Sequence, residues 1–333
     1  MSTAVVTGAG GFLGSHLVCQ LLLHGYTVKA CHRAHSNKAM YLAARQYYQL
    51  PEHFEAEWIV ADILDTDSLM DAFAGADVVF HCAAVVSFHM HKKDDLMRTN
   101  VEGTHNVVNA CLKTGVPKII YTGSIAALGR KPGVTNYITE ETQWEESSAN
   151  TDYARSKYLG ELEIWRGAEE GLQAAVLLPG VILGPADGER SSNSIYKLAR
   201  RTGWFYPEGS SGFVGVTDVA KLLILLYENN LWNQKVLAVA ENLSYADLFR
   251  SIAEWSGIKP PRFPLSGWVL NAISKVAWVL EKLHLPTPVP YQAVYNTATH
   301  SIYHSTRIQQ LGPFTFEPVK EVNTKALAFL YNK

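Results

Sequence analysis

Thr7-Gly8-Ala9-Gly10-Gly11-Phe12-Leu13-Gly14 decides the fold, because it lies directly between a short apolar run, Ala4 to Thr7, and a helical pattern, Gly14 to His24. Glycine permits a tight turn and a close backbone approach to a pyrophosphate, and the first turn of the following helix offers unpaired N–H groups. The spacing is not the strict G-x-G-x-x-G, and a glycine loop alone is weak evidence. Its place after the first strand of a strand–helix series predicts a nucleotide-binding turn.

Beyond this loop, short apolar runs alternate with helical patterns through the first half of the chain. Strands that alternate with helices indicate βαβ units and a parallel sheet. The sequence therefore predicts an α/β fold, a Rossmann-type doubly wound parallel sheet of about seven strands. The further apolar runs are Thr27 to Cys31, Trp58 to Val60, Val78 to Cys82, Lys118 to Tyr121 and Ala174 to Leu178.

The later part of the chain predicts a second, smaller unit. After Gly184 the pattern loosens into connections rich in Gly, Ser and Pro. We expect a Rossmann domain over residues 1–184 and a mostly helical substrate lobe over residues 185–333. Val214 to Asp218 is typical of a strand that returns into a helix, so residues from about 213 to 240 are expected to contribute to the first domain. The lobe would then be interwoven with that domain.

Composition narrows the class of partner. The 333 residues contain 29 Lys and Arg against 31 Asp and Glu, a formal net charge of −2, so no overall field favours nucleic acid. A small molecule is the expected partner, and a homodimer stays open. Four cysteines without CxxC spacing are typical of buried thiols in a reducing compartment. No signal-peptide pattern follows Met1, so a cytoplasmic location is expected.

One long apolar stretch, Gly267 to Leu283, needs a separate interpretation. Polar residues interrupt it, which argues against an integral membrane segment and predicts an amphipathic helix. Two roles stay open for this helix, a lid over the substrate and a contact with a membrane surface. The interrupting residues are Asn271, Ser274, Lys275, Glu281 and Lys282.

The glycine loop and three further motifs resemble the extended short-chain dehydrogenase/reductase family, closest to its dihydroflavonol-reductase-like and 3β-hydroxysteroid-dehydrogenase-like members. Thr7, Gly8, Gly11 and Gly14 match its TGxxGxxG loop. The resemblance implies a nicotinamide dinucleotide cofactor held along these motifs, with Gly10, Phe12, Leu13, Ala83, Ala84, Pro179, Gly180 and Ile182 against it. The other motifs are His81-Cys82-Ala83-Ala84, similar to H-x-A-A; Asn100-Val101-Glu102-Gly103-Thr104, similar to N-V-x-G-T; and Leu178-Pro179-Gly180-Val181-Ile182-Leu183-Gly184-Pro185, similar to R-P-x-x-x-x-G-P with Leu178 in place of Arg.

The reacting groups are expected in Tyr153-Ala154-Arg155-Ser156-Lys157, which matches the family's Y-x-x-x-K motif. An i, i+4 pair lies on one helix face; solvated residues would give the same pattern, but the glycine loop upstream favours a catalytic pair. A carbonyl that accepts hydride also needs a proton, and a phenol with a pKa of about 10 ionises reluctantly near neutrality. A neighbouring ammonium favours phenolate. We therefore expect Lys157 to lower the pKa of Tyr153, and the resemblance implies that it also holds the nicotinamide ribose.

Two more residues are candidates for the catalytic set. Ser124 follows the strand Lys118 to Tyr121, at the sheet edge where such folds bind ligands. The resemblance implies that it donates a hydrogen bond to the substrate oxygen, and a turn serine is the alternative. Asn100 matches the family's helix asparagine, which organises a water-linked proton path; a capping or packing role is the alternative.

Cofactor choice depends on the end of the second strand. An NAD-preferring site would place Asp or Glu there for the ribose 2′-hydroxyl, but the chain has His32-Arg33. Arg33 stands where dihydroflavonol-reductase-like members carry an Arg against the 2′-phosphate, and its planar fork suits phosphate. Lys38 is expected to assist, unless the loop is only a solvated basic turn. NADP(H) is therefore the preferred cofactor, with NAD(H) possible.

Asp62 follows the third strand and resembles the family's acid that hydrogen-bonds the adenine amine, with Ile63 beside it; a helix cap is the competing explanation. His81, His89 and His91 lie close in sequence but lack a supporting Cys or carboxylate pattern, so no metal site is predicted.

The later lobe is rich in aromatic residues, which favours a hydrophobic carbonyl substrate, although part of this content is expected in the core. Three functions stay open. These are a reductase of bulky ketones or aldehydes (or the reverse alcohol oxidation), a nucleotide-sugar epimerase or dehydratase with tightly held NAD(P), and a non-catalytic NADP(H)-sensing protein. The aromatic residues are Trp204, Phe205, Tyr206, Phe213, Trp268, Trp278 and Tyr291.

Overall fold

The computed structural model describes residues 2–188, 193–201, 203–283, 285, 287 and 289–331. Its strands are β1 (Thr3–Thr7), β2 (Thr27–His32), β3 (Glu57–Val60), β4 (Val78–His81), β5 (Lys118–Thr122), β6 (Asn136–Ile138), β7 (Gln173–Pro179), β8 (Val181–Leu183), β9 (Phe205–Pro207), β10 (Ser210–Gly215), β11 (Gln234–Ala238), β12 (Glu241–Ser244), β13 (Phe263–Leu265) and β14 (Ser301–Tyr303). Its helices are α1 (Phe12–Leu23), α2 (Ala39–Tyr47), α3 (Thr66–Phe73), α4 (Lys93–Met97), α5 (Gly103–Thr114), α6 (Asp152–Glu169), α7 (Ser194–Arg201), α8 (Val216–Glu228), α9 (Tyr245–Ser256), α10 (Gly267–Lys282), α11 (Tyr291–Thr297) and α12 (Val319–Tyr331).

The central layer is a parallel sheet of seven strands in the spatial order β11-β7-β5-β4-β1-β2-β3. The inner strands are continuous apolar runs, such as Val78–His81, because helices cover both faces and leave no solvent side. The predicted doubly wound sheet of about seven strands is confirmed. The seventh strand of the sheet comes late in the sequence: β11, residues 234–238, pairs with β7.

Two layers of helices bury the faces of the sheet. On one face Leu17 and Leu21 of α1 meet Leu222 and Leu226 of α8 in a core cluster. On the other, Val107 of α5 and residues of α3 and α6 form a second cluster. The strand-to-helix return predicted at Val214 to Asp218 is the junction of β10 and α8, and it brings α8 back against α1.

The remaining elements pack beside the carboxyl ends of the sheet strands. A three-stranded sheet, β12-β10-β8, and α9 with α12 enclose a third core cluster around Phe213 and Phe249. Short parallel pairs join β14 to β6 and β13 to β9. Among the described residues, no helix has the length and apolar character needed to cross a bilayer.

The helix that carries the motif from Asn100 to Thr104 is irregular at its start. Residues Arg98–Glu102 form a π-helical turn that continues into α5. Helix α6 packs directly against this turn at Gly160, where a Cβ would lie only 2.5 Å from the Asn100 carbonyl oxygen. Such π turns are frequent at functional sites, and this one aims the Asn100 side chain at the loop after β4.

Candidate active site

The glycine loop makes close backbone contacts that a side chain would block. Gly8 has φ +68°, and a Cβ there would lie 2.7 Å from Ala83 Cα. A Cβ on Gly14 would overlap the Gly8 carbonyl oxygen. The loop is closed by a hydrogen bond from the Gly11 amide to the Gly8 carbonyl at 2.9 Å. These contacts put the loop, with Phe12 and Leu13 in the first turn of α1, at the carboxyl edge of β1.

This cradle fits a dinucleotide pyrophosphate. Helix α1 begins at Phe12 with Gly11 as its N-cap, and no side chain caps its first N–H groups. Those groups and the helix dipole therefore face any anion that approaches the loop. Ala83 lies against Gly8 and Ala84 is exposed beside it, so the loop after β4 forms the opposite wall.

The loop that begins with Arg33 lies next to the glycine loop. A Cβ on Gly10 would be 3.5 Å from the Asn37 carbonyl oxygen. Arg33 follows the last residue of β2 and is exposed. The Lys38 ammonium lies 4.5 Å from the centre of the Trp58 ring. Two cations thus lie beside the glycine loop, where a ribose 2′-phosphate would need them.

Asp62 does not cap the following helix. The N-cap of α3 is Asp65, whose side chain accepts from the Asp67 and Ser68 amides. Asp62 instead accepts from the Leu64 amide at 3.0 Å and stays half-buried after β3. Ile63 is buried against Gly103, where a Cβ would be 2.5 Å from Ile63 Cδ1. The competing explanation of Asp62 as a helix cap is therefore wrong.

Tyr153 and Ser124 lie together at the carboxyl end of β5. Burial raises the pKa of the Tyr153 phenol, and the nearby Ser124 hydroxyl acts in the opposite direction. The Ser124 Oγ accepts the Ala126 amide at 3.1 Å and begins a 3₁₀ turn, Ile125–Leu128. Because that bond uses only an oxygen lone pair, the Ser124 proton is free to be donated.

Lys157, one helical turn after Tyr153 in α6, is buried at the carboxyl end of β5. Its Nζ donates to the Thr122 carbonyl at 2.7 Å and lies 4.2 Å from the centre of the Tyr121 ring. Burial lowers the Lys157 pKa to about 7. The expected lowering of the Tyr153 pKa is not found: burial penalises the phenolate and raises that pKa, and the hydrogen bond with Ser124 offsets the rise only in part.

The Asn100 side chain is occupied by protein partners. Its amide oxygen accepts the Val85 N–H at 2.8 Å and its amide nitrogen donates to the Val85 carbonyl at 2.9 Å. The same nitrogen donates to Ser156 Oγ at 2.9 Å. Asn100 therefore ties the loop after β4 to the catalytic helix α6.

A buried chain of hydrogen bonds joins the glycine loop to this asparagine. Thr104 Oγ1 donates to the Asn100 carbonyl at 2.7 Å, so His81 Nε2, 3.0 Å away, must donate to Thr104. His81 Nδ1 is then the acceptor for Thr7 Oγ1 at 2.7 Å. Burial, assisted by the charge of Lys157, lowers the His81 pKa to about 3, so the imidazole is neutral. The sequence pattern marked His81 only as a motif residue.

The last motif, Leu178 to Pro185, lies at the carboxyl end of β7 and continues into β8. Leu178, in place of the family's Arg, is buried and packs over Gly123. The Gly180 amide donates to the Ala238 carbonyl at 3.0 Å. Pro179 ends β7, while Ile182 lies in β8 and is half-buried. Leu178 therefore makes an apolar contact at the position where the family has Arg.

The histidines have separate surroundings. His81 is buried in the chain described above, and His89 Nδ1 lies 3.5 Å from Glu281 Oε1. The His89 and His91 rings are 5.3 Å apart. Within the described ranges, no group of three or more His, Cys, Asp or Glu side chains is arranged to hold a metal.

The aromatic residues of the later part of the chain do not all face the site. Phe213 is in the core, while Trp204, Phe205 and Trp268 are exposed. An aromatic residue that the sequence did not single out, Phe88, lies edge-on to Tyr153 with ring centres 5.7 Å apart. Its position in the loop after β4, which has no regular periodicity, left no signal.

Helices α10 and α11 are fastened beside the catalytic helix. Glu281 accepts from the Met90 amide at 2.8 Å and from the Tyr291 amide at 3.0 Å. Gln292 Nε2 donates to Asp152 Oδ2 at 2.6 Å, one residue before Tyr153. This pair of helices therefore lies next to the start of α6, which carries Tyr153.

Comparisons with known proteins identify the family of the chain. The model of the NAD dependent epimerase/dehydratase family matches residues 4–240. Cinnamoyl-CoA reductase 1 of Oryza sativa subsp. japonica is 33% identical over 270 residues, 78% of this chain and 76% of that protein. Sterol demethylase protein B of Methylococcus capsulatus is 28% identical over 315 residues, 93% of this chain and 89% of that protein.

A solved structure is similar over the full length. The crystal structure of gox2253 is 29% identical, with a TM-score of 0.81, and covers 100% of this chain and 98% of its own. The matched residues 4–240 include the glycine loop, the Y-x-x-x-K helix and all seven strands of the sheet. The chain belongs to the NAD dependent epimerase/dehydratase family, the extended short-chain dehydrogenases/reductases, and is an enzyme of that class.

Proposed function

We propose that this enzyme is an NADP(H)-dependent oxidoreductase that reduces a ketone or aldehyde of a bulky, largely hydrophobic small molecule, or catalyses the reverse oxidation. The observation that carries the proposal is the meeting of Tyr153, Ser124 and Lys157 at the carboxyl edge of the sheet, beside the glycine loop. Open α/β sheets bind their ligands at this edge.

The bound nicotinamide supplies the hydride in one direction and accepts it in the other. Tyr153 donates the proton that a reduced carbonyl oxygen requires. The Ser124 hydroxyl, whose lone pair is engaged by Ala126, donates a hydrogen bond to the developing negative charge on that oxygen. Lys157 holds the nicotinamide ribose with the N–H groups left after its bond to Thr122, and its pKa of about 7 suits proton exchange near neutrality.

The cofactor is proposed to be NADP(H), with NAD(H) as the alternative. Arg33 and Lys38 supply positive charge beside the glycine loop, and no acid stands at the end of β2. The adenosine end would be held by Asp62 and Ile63 after β3, and the nicotinamide end by Pro179, Gly180 and Ile182.

A hydrophobic substrate is supported by Phe88 against Tyr153 and by the apolar environment that raises the phenol pKa. Two relatives are named for a cinnamoyl-CoA and for a sterol, bulky molecules that each contain a hydrophobic part.

Tyr153→Phe tests the proposal, with NADPH oxidation measured against a panel of aromatic and alicyclic carbonyl compounds. Turnover should fall by about two to four orders of magnitude, because general acid catalysis contributes that much, while NADPH affinity stays nearly unchanged. Tyr137→Phe, at an exposed tyrosine, is the matched control and should keep full turnover.

Equal turnover in Tyr153→Phe would remove Tyr153 from the mechanism. Tightly held cofactor without net consumption would instead identify an epimerase or dehydratase. NADPH binding without turnover of any carbonyl or nucleotide sugar would identify a cofactor sensor.

A further inference from the structure

Helix α10 turns its more polar side inward. Its buried residues are Leu270, Ser274, Ala277 and Glu281, spaced i, i+4, i+7 and i+11. Two of these four are polar, and the Glu281 carboxylate is held by the Met90 and Tyr291 amides. The inner face is therefore fixed by specific hydrogen bonds, and rotation of the helix would leave Glu281 buried without partners.

The outer face of α10 is rich in apolar residues, with Asn271, Lys275 and Lys282 exposed among them. Trp268 is 77% exposed, Val276 60% and Val279 46%, and Leu283, directly after the helix, is 62% exposed. A surface helix of a globular protein normally places such residues against the core. Here the pattern is inverted, which is typical of a helix that meets an apolar environment from outside.

The apolar row continues onto the adjacent strands. Phe263 of β13 pairs with Phe205 of β9, and the Phe263 ring centre lies 6.3 Å from that of Trp204. All three side chains are about half exposed. Strand β13 ends two residues before α10 begins, so these rings and the helix are neighbours along the chain. We call the exposed residues Trp204, Phe205, Phe263, Trp268, Val276 and Val279 together the apolar face.

Cations predominate in the segment that carries β13 and α10. Lys259, Arg262, Lys275 and Lys282 are exposed, and the only acid between residues 255 and 283 is the buried Glu281. The segment is thus locally basic although the whole chain has a net charge of −2. A two-fold contact between copies would bring these cations against each other. An anionic surface would pair with them.

We propose that the apolar face is a docking site for a bilayer surface that contains anionic lipids. Helix α10 lies in the plane of the headgroup region, with Trp268, Val276 and Val279 inserted towards the acyl boundary and the four cations among the headgroups. Aromatic residues favour this interfacial depth, which suits Trp204 and Phe263. The proposal concerns the outer surface of the molecule and does not depend on the reaction proposed above.

Vesicle flotation of the full chain tests this proposal, with vesicles of phosphatidylcholine alone and of phosphatidylcholine with phosphatidylglycerol. The wild type should float with the anionic vesicles and be released by high salt. The double variant Val276→Asp, Val279→Asp should lose at least tenfold in partition. Lys275→Glu and Lys282→Glu should each lower it roughly fivefold. Leu42→Asp, at an equally exposed apolar residue of α2, is the matched control and should bind like the wild type.

Far-UV circular dichroism and the urea midpoint of unfolding verify that each variant is folded. Failure of the wild type to bind anionic vesicles, or equal binding by the double variant, would overturn the proposal. So would a sedimentation-velocity result in which the wild type self-associates without lipid and the double variant does not, because the face would then be an interface between copies.

Discussion

Arg33 is the residue on which cofactor choice rests. It is exposed at the end of β2, close to the glycine loop and free of a neighbouring acid in the sequence from Val28 to Lys38. Arg33→Ala should weaken NADPH binding by roughly 1.5 to 3 kcal/mol, the range for charge-assisted hydrogen bonds, and leave NADH binding nearly unchanged. Calorimetric titration with both nucleotides measures this. Equal weakening of both, or wild-type preference for NADH, would show that Arg33 does not contact a 2′-phosphate.

The chain from Thr7 through His81 to Thr104 positions the glycine loop relative to Asn100. Thr104→Val removes the hydroxyl that links His81 to the Asn100 carbonyl, so we expect weaker NADPH binding and a ¹⁵N NMR change at His81, whose Nε2–H tautomer loses its acceptor. Thr104→Ser, which restores the hydroxyl, should recover both. An unchanged His81 spectrum in Thr104→Val would disprove the assigned proton positions.

For these side chains the sequence predicted which residues lie together but not their pKa values. The motif placed Tyr153 and Lys157 on one helix face, and the helix does so. Their pKa values depend on burial, which comes from Phe88, Tyr121 and the β5 carbonyls and leaves no trace in an i, i+4 spacing. The direction of the Tyr153 shift was therefore wrongly predicted.

The Glu140 carboxylate joins strand β11 of the sheet to the segment after β14 by hydrogen bonds. Glu140, after β6, is buried and accepts from the Leu237 amide in β11, from Ser305 Oγ and from both the amide and the hydroxyl of Thr306. These bonds lower its pKa although burial alone would raise it. We call these hydrogen bonds, which join Glu140 to β11 and to Ser305 and Thr306, the Glu140 clasp.

Glu140→Gln should reduce the free energy of unfolding by about 2 to 4 kcal/mol, because an amide nitrogen would face donors that now share two carboxylate oxygens. Urea denaturation measures the loss. Glu141→Gln is the matched control: its exposed ion pair with Arg307 should contribute no more than about 1 kcal/mol. Equal losses in the two variants would contradict the clasp.

Element boundaries show where sequence patterns are insufficient. The apolar runs placed six of the seven sheet strands within a few residues, because buried parallel strands are mostly continuous apolar runs. The π turn at Arg98–Glu102 was missed, since it arises from α6 packing at Gly160 and not from local propensity. The orientation of α10 could not be predicted either. Periodicity identifies an apolar face of a helix but does not show whether that face points to the core or to solvent.

For the whole molecule, two buried histidines predict sensitivity to acid. Burial lowers the pKa of His16 from 6.5 to about 4 and that of His81 from 6.5 to about 3. Below pH 6.5 the unfolded chain therefore binds more protons than the native chain, so stability falls as pH falls towards 4. Each histidine contributes roughly 1.4 kcal/mol per pH unit in this window.

Urea denaturation at several pH values between 7 and about 4.5 checks this slope. His53→Gln, at an exposed histidine, should leave the slope unchanged. A stability that is flat between pH 6.5 and 5 would mean that the two imidazoles are not held neutral.

The order of strands along the chain has a consequence for synthesis on the ribosome. Strand β7 receives its outer neighbour, β11, only from residues 234–238, after the polypeptide has left the sheet to build β8, β9 and β10. While those residues are still being translated, the nascent chain presents β7 as a bare apolar edge, the kind of template that invites pairing with another chain. We therefore expect ribosome-bound chains that stop near residue 200 to recruit chaperones and to aggregate when released, and chains extended past β11 and through the Glu140 clasp to leave the ribosome in a protected state.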